Sequence, residues 1–288
     1  MNKLALGTAQ FGLDYGINNR RGKIPVNEVF AILNYAFTKK IDTLDTAHDY
    51  GDSEKIIGQY LHATNQSFKI ISKSAPLSPK HLDAFFYQSL KNLKVNNLYG
   101  YLIHDFDKFK ANPAILSQLQ KYKKRGRVKK IGFSLYYPHQ LEYLLKNKVK
   151  FDLIQIPFSI FDQRFVSYLP KLKSNSIEVY ARSIFLQGLV FKKIADLPKK
   201  ILKIKPKLQS LSKISKKWQI PIAAVCLNFV WNNRYIDKVV IGVDSKKNLE
   251  ENINNIGFVK IIEKEEVTRQ LTLLKEDDET IILPINWS

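Results

Sequence analysis

The sequence has a single cysteine, Cys226, among its 288 residues. One thiol cannot form an intrachain disulfide, which is typical of proteins from a reducing compartment, so we expect a cytoplasmic location. No stretch reaches the length of apolar sequence that a transmembrane helix needs, and we expect no membrane-spanning segment. The N-terminus enters a strand-like run without the apolar region of a signal peptide.

Acidic residues are scarce: 26 Asp and Glu stand against 46 Lys and Arg, which gives a formal net charge of +20. Such an excess invites a nucleic-acid partner. Most of the lysines are spread along the chain, however, and cluster locally only at 121–130 and 192–207. This distribution favours solvated helix faces, and we expect no nucleic-acid partner.

Eight apolar, β-rich runs alternate with amphipathic helical segments along the chain. Several runs are apolar nearly throughout, as in parallel strands that are buried on both faces. The alternation predicts an α/β fold, a (β/α)8 TIM barrel, as a single domain over residues 1–288. A doubly wound open sheet is the alternative, and its dinucleotide-binding form is disfavoured because no GxGxxG follows the first strand. The predicted strands are 4–7, 41–46, 69–73, 100–104, 129–134, 153–158, 178–183 and 238–242.

Polar side chains follow three consecutive predicted strands. Asp45 ends the second strand, Lys73 the third and His104 the fourth, and Tyr50 lies in the loop after Asp45. Neighbouring strand ends bring these groups to one side of a barrel. A buried lysine needs a counter-ion, and Asp45 can supply it.

The same four residues form a coherent set for carbonyl reduction. A lysine cation beside Tyr50 lowers its pKa and makes it a proton donor. A hydrogen bond from His104 then orients the carbonyl oxygen. Each residue taken alone has an ordinary structural interpretation, as an ion pair, a packing residue or a solvated side chain. Their combination predicts an active site.

Four stretches resemble the aldo-keto reductase superfamily: the segment DTAHDYGDSE at 45–54, the first-strand run 6–12, the fourth-strand run 101–105 and the segment 126–134. The resemblance implies a catalytic tetrad of Asp45, Tyr50, Lys73 and His104. It also implies NADP(H) or NAD(H) lying across the barrel mouth, a small-molecule carbonyl substrate and no metal ion.

The resemblance also implies the residues that hold the cofactor. Ser134 and Gln155 match the positions that bind the carboxamide, with Leu135 where the family commonly has Asn. Arg182 stands where a flat side chain stacks on the nicotinamide. The remaining cofactor positions lie in the first strand, in the loop that holds the pyrophosphate and in the adenosine site; they are Gly7, Thr8, Ser183, Leu186, Gly188, Gly242, Asp244, Asn248 and Asn252.

The adenosine site lacks the cations that NADP-specific relatives carry at Gly242, Asp244 or Asn248. An aspartate at 244 would repel a 2′-phosphate and accept a hydrogen bond from a 2′-hydroxyl. Lys246 and Lys247 work against this preference, since they can reach a phosphate. We therefore hypothesise a weakened NADP preference, or the use of NAD.

The sequence thus predicts an NAD(P)H-dependent oxidoreductase that reduces an aldehyde or ketone, including a sugar carbonyl. The candidate substrate contacts are Phe11 and His48. Two alternatives stay open: a non-catalytic family member that binds NAD(P)H, and a barrel enzyme that oxidises a sugar transiently. The sequence specifies neither the substrate nor an oligomeric state.

Overall fold

Eight parallel strands close into a barrel in the computed structural model, which describes residues 2–19 and 21–287. Each strand pairs with the next along the chain, and the last pairs with the first. This confirms the predicted (β/α)8 barrel, and the open-sheet alternative is wrong. The strands are β1 Leu4–Gly7, β2 Thr43–Asp45, β3 Lys69–Ser74, β4 Leu98–Ile103, β5 Val128–Ser134, β6 Leu153–Pro157, β7 Glu178–Arg182 and β8 Lys238–Gly242.

Helices surround the barrel, and α7 begins at Pro138, whose ring presets the backbone of the first helical turn. The helices of the described residues are α1 Ala9–Gly12, α2 Val26–Thr38, α3 Ser53–Thr64, α4 Pro79–Leu93, α5 Phe106–Ala111, α6 Ala114–Lys124, α7 Pro138–Lys146, α8 Leu169–Ser174, α9 Lys205–Trp218, α10 Ile222–Trp231, α11 Lys246–Asn255, α12 Val259–Ile262, α13 Glu265–Thr272 and α14 Glu279–Ile282. None of these helices has both the length and the apolar character needed to cross a membrane.

A small apolar cluster draws one buried residue from each of six strands; its members are Ala5, Ile71, Leu102, Leu153, Tyr180 and Val240. A larger cluster contains apolar residues of both strands and helices, as in a barrel whose strands are covered on both faces. The strands approach closely at Gly132, where an added Cβ would lie 1.6 Å from the carbonyl oxygen of Leu153. Only glycine fits there.

A second large apolar cluster joins α9 and α10 to the loops after β6 and β7 and to the C-terminal segment. The chain between β7 and α9 forms three 3₁₀ turns, Leu186–Phe191, Ile194–Asp196 and Lys199–Ile204. The C-terminal segment is held by Arg164, whose guanidinium lies 2.6 Å from a carboxylate oxygen of Glu279. The loops around the carboxyl ends of β6 and β7 thus have an apolar core of their own.

Candidate active site

A buried ion pair links the carboxyl ends of β2 and β3. The Nζ of Lys73 lies 2.7 Å from Oδ1 of Asp45 and donates a second hydrogen bond, 2.8 Å long, to the carbonyl oxygen of Thr46. The two side chains are only 0% and 5% exposed. Two buried charges are tolerated here because each neutralises the other and both are hydrogen-bonded.

One amide group and one hydroxyl group continue the hydrogen bonding of this ion pair towards β5 and β6. Gln155 donates from Nε2 to Oδ1 of Asp45 over 2.8 Å, and the Ser134 hydroxyl donates to Oε1 of Gln155 over 3.4 Å. Both residues are buried. Gln155 therefore contacts the carboxylate of Asp45 and Ser134 contacts Gln155, and the carboxamide contact implied by the sequence stays a prediction.

The ring of Tyr50 lies above the ion pair, with its centroid 5.1 Å from Nζ of Lys73. Its hydroxyl makes no hydrogen bond with any described residue. Burial, reinforced by the negative charge of Asp45, raises the pKa of Tyr50 well above its ordinary value. The expectation of a lowered pKa is wrong, because desolvation of the buried phenol has the largest effect and raises it. Arg182 is instead the cation that acts against the increase.

His104 follows β4 and faces Tyr50, with 6.0 Å between the ring centroids. Desolvation lowers the pKa of His104 below its usual 6.5, and the cations Lys73 and Arg182 add to this. The carboxylate of Asp49, 3.8 Å from Nδ1, acts in the opposite direction without reversing the shift. The imidazole is therefore neutral at pH 7 and has one N–H to donate.

Tyr50 and His104 both line a cavity of about 450 Å³ at the carboxyl ends of the strands, a size typical of small-molecule sites. Asp45 lines it as well, whereas Lys73 is fully buried. Nine residues that the sequence assigns to the cofactor also line this cavity: Gly7, Thr8, Arg182, Ser183, Gly188, Gly242, Asp244, Asn248 and Asn252.

A family model, the Aldo/keto reductase family, matches residues 3–270. The chain belongs to this family. The chain is 22% identical to the uncharacterized oxidoreductase YqkF of Bacillus subtilis, covering 92% of this chain and 94% of that protein. It is 24% identical to an L-galactose dehydrogenase of Arabidopsis thaliana, covering 81% and 79%. The aldo-keto reductase AKR11C1 of Bacillus halodurans superimposes with a TM-score of 0.75 at 17% identity, covering 99% and 95%.

Six predicted site residues of this aldo/keto reductase are absent from the cavity wall: the buried Lys73, Ser134 and Gln155 described above, and Phe11, His48 and Leu186. Phe11 is fully buried in the core on the short helix α1, and its contact with a substrate stays a prediction. His48 stacks on Phe85, with 4.4 Å between the rings, and is absent from the cavity wall. The side chain of Leu186 belongs to the second apolar cluster, which leaves only its backbone for a ligand.

Tyr136 is a cavity residue that the sequence analysis missed. The guanidinium of Arg182 lies 4.2 Å from the centroid of its ring and donates to the carbonyl oxygen of Leu135 over 3.0 Å. No carboxylate of a described residue pairs with Arg182. Tyr136 comes two residues after β5, so attention to the strand end could have found it.

Two loops meet at the cavity. The amide of Gln187, after β7, donates to the hydroxyl of Tyr15, after β1, over 3.0 Å. Leu186, Gln187 and Gly188 all have positive φ, a run of unusual backbone of the kind that clusters at ligand clamps. Nothing in the sequence signals this pairing, because the two residues lie 172 positions apart.

No cluster of three or more His, Cys, Asp or Glu side chains within residues 2–19 and 21–287 is placed to hold a metal ion. The groups at the site are a phenol, an imidazole, a guanidinium and one neutralised ion pair. These groups can orient a polar ligand and donate a proton to it.

Proposed function

We propose that the protein is an NAD(P)H-dependent oxidoreductase that reduces an aldehyde or ketone, with Tyr50 as the proton donor. One observation carries this proposal: a phenol hydroxyl without a protein partner lies in a cavity beside a neutral histidine and above a buried ion pair. Membership of the aldo/keto reductase family supports the same chemistry.

The residues present fit a nicotinamide dinucleotide, which would supply the hydride when bound. Polar and small residues of β1, β7 and β8 line the cavity, and the side chain of Asn252 is 3% exposed there without a partner among the described residues. Arg182 would lie against the nicotinamide, Ser183 and Gly188 against the pyrophosphate, and Asp244 against the adenosine. A dinucleotide has enough donors and acceptors to form hydrogen bonds with the polar side chains of this cavity wall.

In the proposed reaction the carbonyl carbon accepts the hydride and the carbonyl oxygen takes the proton of the Tyr50 hydroxyl. The neutral His104 donates its N–H to the same oxygen and orients it. The raised pKa keeps Tyr50 protonated at physiological pH, as a proton donor must be. Lys73, paired with Asp45, fixes the position of the tyrosine ring through the contact with its face.

A second candidate is the oxidation of a sugar hydroxyl. One relative of this chain is named L-galactose dehydrogenase, and the cavity wall carries hydroxyl and amide groups of Tyr15, Asn18, Tyr136 and Gln187. In that direction Tyr50 would have to act as a base. Its raised pKa opposes this role, so the structure favours reduction of a hydroxylated carbonyl compound.

The test is the absorbance of reduced nicotinamide, followed for NADH and NADPH with a panel of aldehydes, ketones and aldose sugars. We expect its consumption with at least one compound that bears hydroxyl groups. Failure of both dinucleotides to bind, measured by fluorescence, would contradict the proposal whatever the panel contains.

Arg182 is the one lysine or arginine among the described residues that line the cavity. Because Arg182 lowers the pKa of both Tyr50 and His104, Arg182→Gln is expected to raise both pKa values. We expect kcat for reduction to fall about tenfold, a loss of about 1.4 kcal/mol in transition-state stabilisation. The NMR titration of the His104 ring should move to higher pH.

The matched control is Arg182→Lys, which keeps the charge and loses the planar contact with Tyr136. It should preserve the titration of His104. An unchanged titration and an unchanged kcat in Arg182→Gln would contradict the role of the guanidinium charge.

A further inference from the structure

Carboxylates and amides line the part of the cavity that β8 and α11 form. Asp244 follows β8, and Asn248, Glu251 and Asn252 project from α11. Among the described residues that line the whole cavity, Arg182 of β7 is the only lysine or arginine. This end of the cavity therefore carries two negative charges and no described cation.

The N-terminus of α11, which would otherwise attract a phosphate, is already engaged. The backbone N–H of Lys246 donates to Oε1 of Glu28 over 2.8 Å, and that of Asn248 donates to the Ser245 hydroxyl over 3.1 Å. The carboxylate of Glu28, a residue of α2, thus accepts a hydrogen bond from a backbone N–H in the first turn of α11.

The two lysines at the start of α11 do not line the cavity. The ammonium group of Lys246 lies over the ring of Tyr35, 5.4 Å from its centroid, and Tyr35 belongs to α2. Lys247 is exposed. The ammonium group of Lys246 is therefore engaged with Tyr35, and neither lysine belongs to the cavity wall.

Two polar groups at this end have hydrogen-bonding capacity to spare. Asn252 is 3% exposed, and its side chain makes no hydrogen bond with a described residue. Asp244 accepts one hydrogen bond at Oδ1, from the Ser245 hydroxyl at 2.9 Å, and its Oδ2 accepts none from the described chain. Asn252 is buried and Asp244 is half-buried, and both line the cavity, where a ligand with donors and acceptors would complete their hydrogen bonding.

We propose that this end of the cavity selects NAD(H) over NADP(H), with Asp244, Glu251 and Glu28 as the residues that determine the choice. The proposal rests on the proposed dinucleotide-dependent function. A ribose 2′-hydroxyl donates to the free oxygen of Asp244, as acidic residues do in NAD sites. A 2′-phosphate brings about two negative charges among three carboxylates and finds no described cation to offset them.

Binding of NADH and NADPH to the full-length protein, followed by nicotinamide fluorescence, separates the outcomes. NADH is expected to bind at least about tenfold more tightly, a difference of about 1.4 kcal/mol. NADPH binding as tightly as NADH or more tightly overturns the selectivity and leaves the proposed function standing. Binding of neither dinucleotide overturns both.

Substitutions test whether the named carboxylates cause the preference for NADH over NADPH. Asp244→Asn and Glu28→Gln are each expected to tighten NADPH binding about tenfold while NADH binding stays equal or weakens. Glu250→Gln is the matched control, because Glu250 is an exposed carboxylate of the same helix that does not line the cavity. NADPH affinity that changes no more in Asp244→Asn and Glu28→Gln than in the control overturns the proposal.

Discussion

Lys73→Met is expected to lower the free energy of unfolding by about 3–5 kcal/mol. The side chain of Lys73 is fully buried and neutralises Asp45, which is itself 5% exposed. Its removal leaves a carboxylate in the barrel without a counter-ion, and methionine supplies no donor to replace it. Denaturation in guanidinium chloride, followed by circular dichroism, measures the loss.

Lys69→Met is the matched control at the other end of the same strand. Lys69 pairs with Asp42 over 2.8 Å, but both side chains are more than a third exposed. An exposed pair is worth at most about 1 kcal/mol, so the control should lose little stability. The double variant Asp45→Asn with Lys73→Met should recover part of the loss, since no charge is then left unpaired. Equal free energies of unfolding for Lys73→Met and Lys69→Met would contradict the stabilising role of the buried ion pair.

Tyr50→Phe is expected to lower kcat for carbonyl reduction by about 10²–10⁴, the usual contribution of a general acid. The hydroxyl makes no hydrogen bond with the described chain, so its loss leaves the packing of the ring unchanged. Dinucleotide affinity should therefore stay within about twofold, a change well below 1 kcal/mol. Steady-state rates measure kcat, and nicotinamide fluorescence measures the dinucleotide affinity.

The control for Tyr50→Phe is Tyr87→Phe, which removes a hydroxyl from an exposed tyrosine of α4. It should leave both rate and affinity unchanged. A Tyr50→Phe variant with the full rate of the unmodified protein would show that the proton comes from another group.

The barrel and the convergence of its polar groups followed from the sequence because both depend on local patterns. Buried parallel strands read as apolar runs, and the strand-end rule then selected Asp45, Lys73 and His104 without knowledge of any contact. The ion pair between Asp45 and Lys73 was predictable for the same reason, since neighbouring parallel strands place their ends side by side.

The electrostatics of the site could not be predicted in this way. The pKa of Tyr50 depends on desolvation and on the charges of Asp45 and Arg182, and these contributions differ in sign. A sequence identifies the charged residues but gives neither their distances nor their burial. The prediction of a lowered pKa counted the lysine cation and left out the desolvation of the phenol.

Contacts between segments that are distant in the chain could not be predicted from the sequence either. Glu28 reaches the backbone of Lys246 across 218 positions, and Gln187 reaches Tyr15 across 172. Phe11 was predicted to contact the substrate, whereas its side chain in the four-residue helix α1 is fully buried in the core. Each of these outcomes depends on how loops pack, for which periodicity gives no signal.

A single-turnover measurement tests the proposed chemistry most directly. The protein is mixed with NADH in stopped flow, and a hydroxylated aldehyde that is active in the steady-state panel is added in excess. We expect one equivalent of nicotinamide absorbance to disappear in the unmodified protein and the same step to slow by about 10² or more in Tyr50→Phe. Equal rates in the two proteins would contradict Tyr50 as the proton donor.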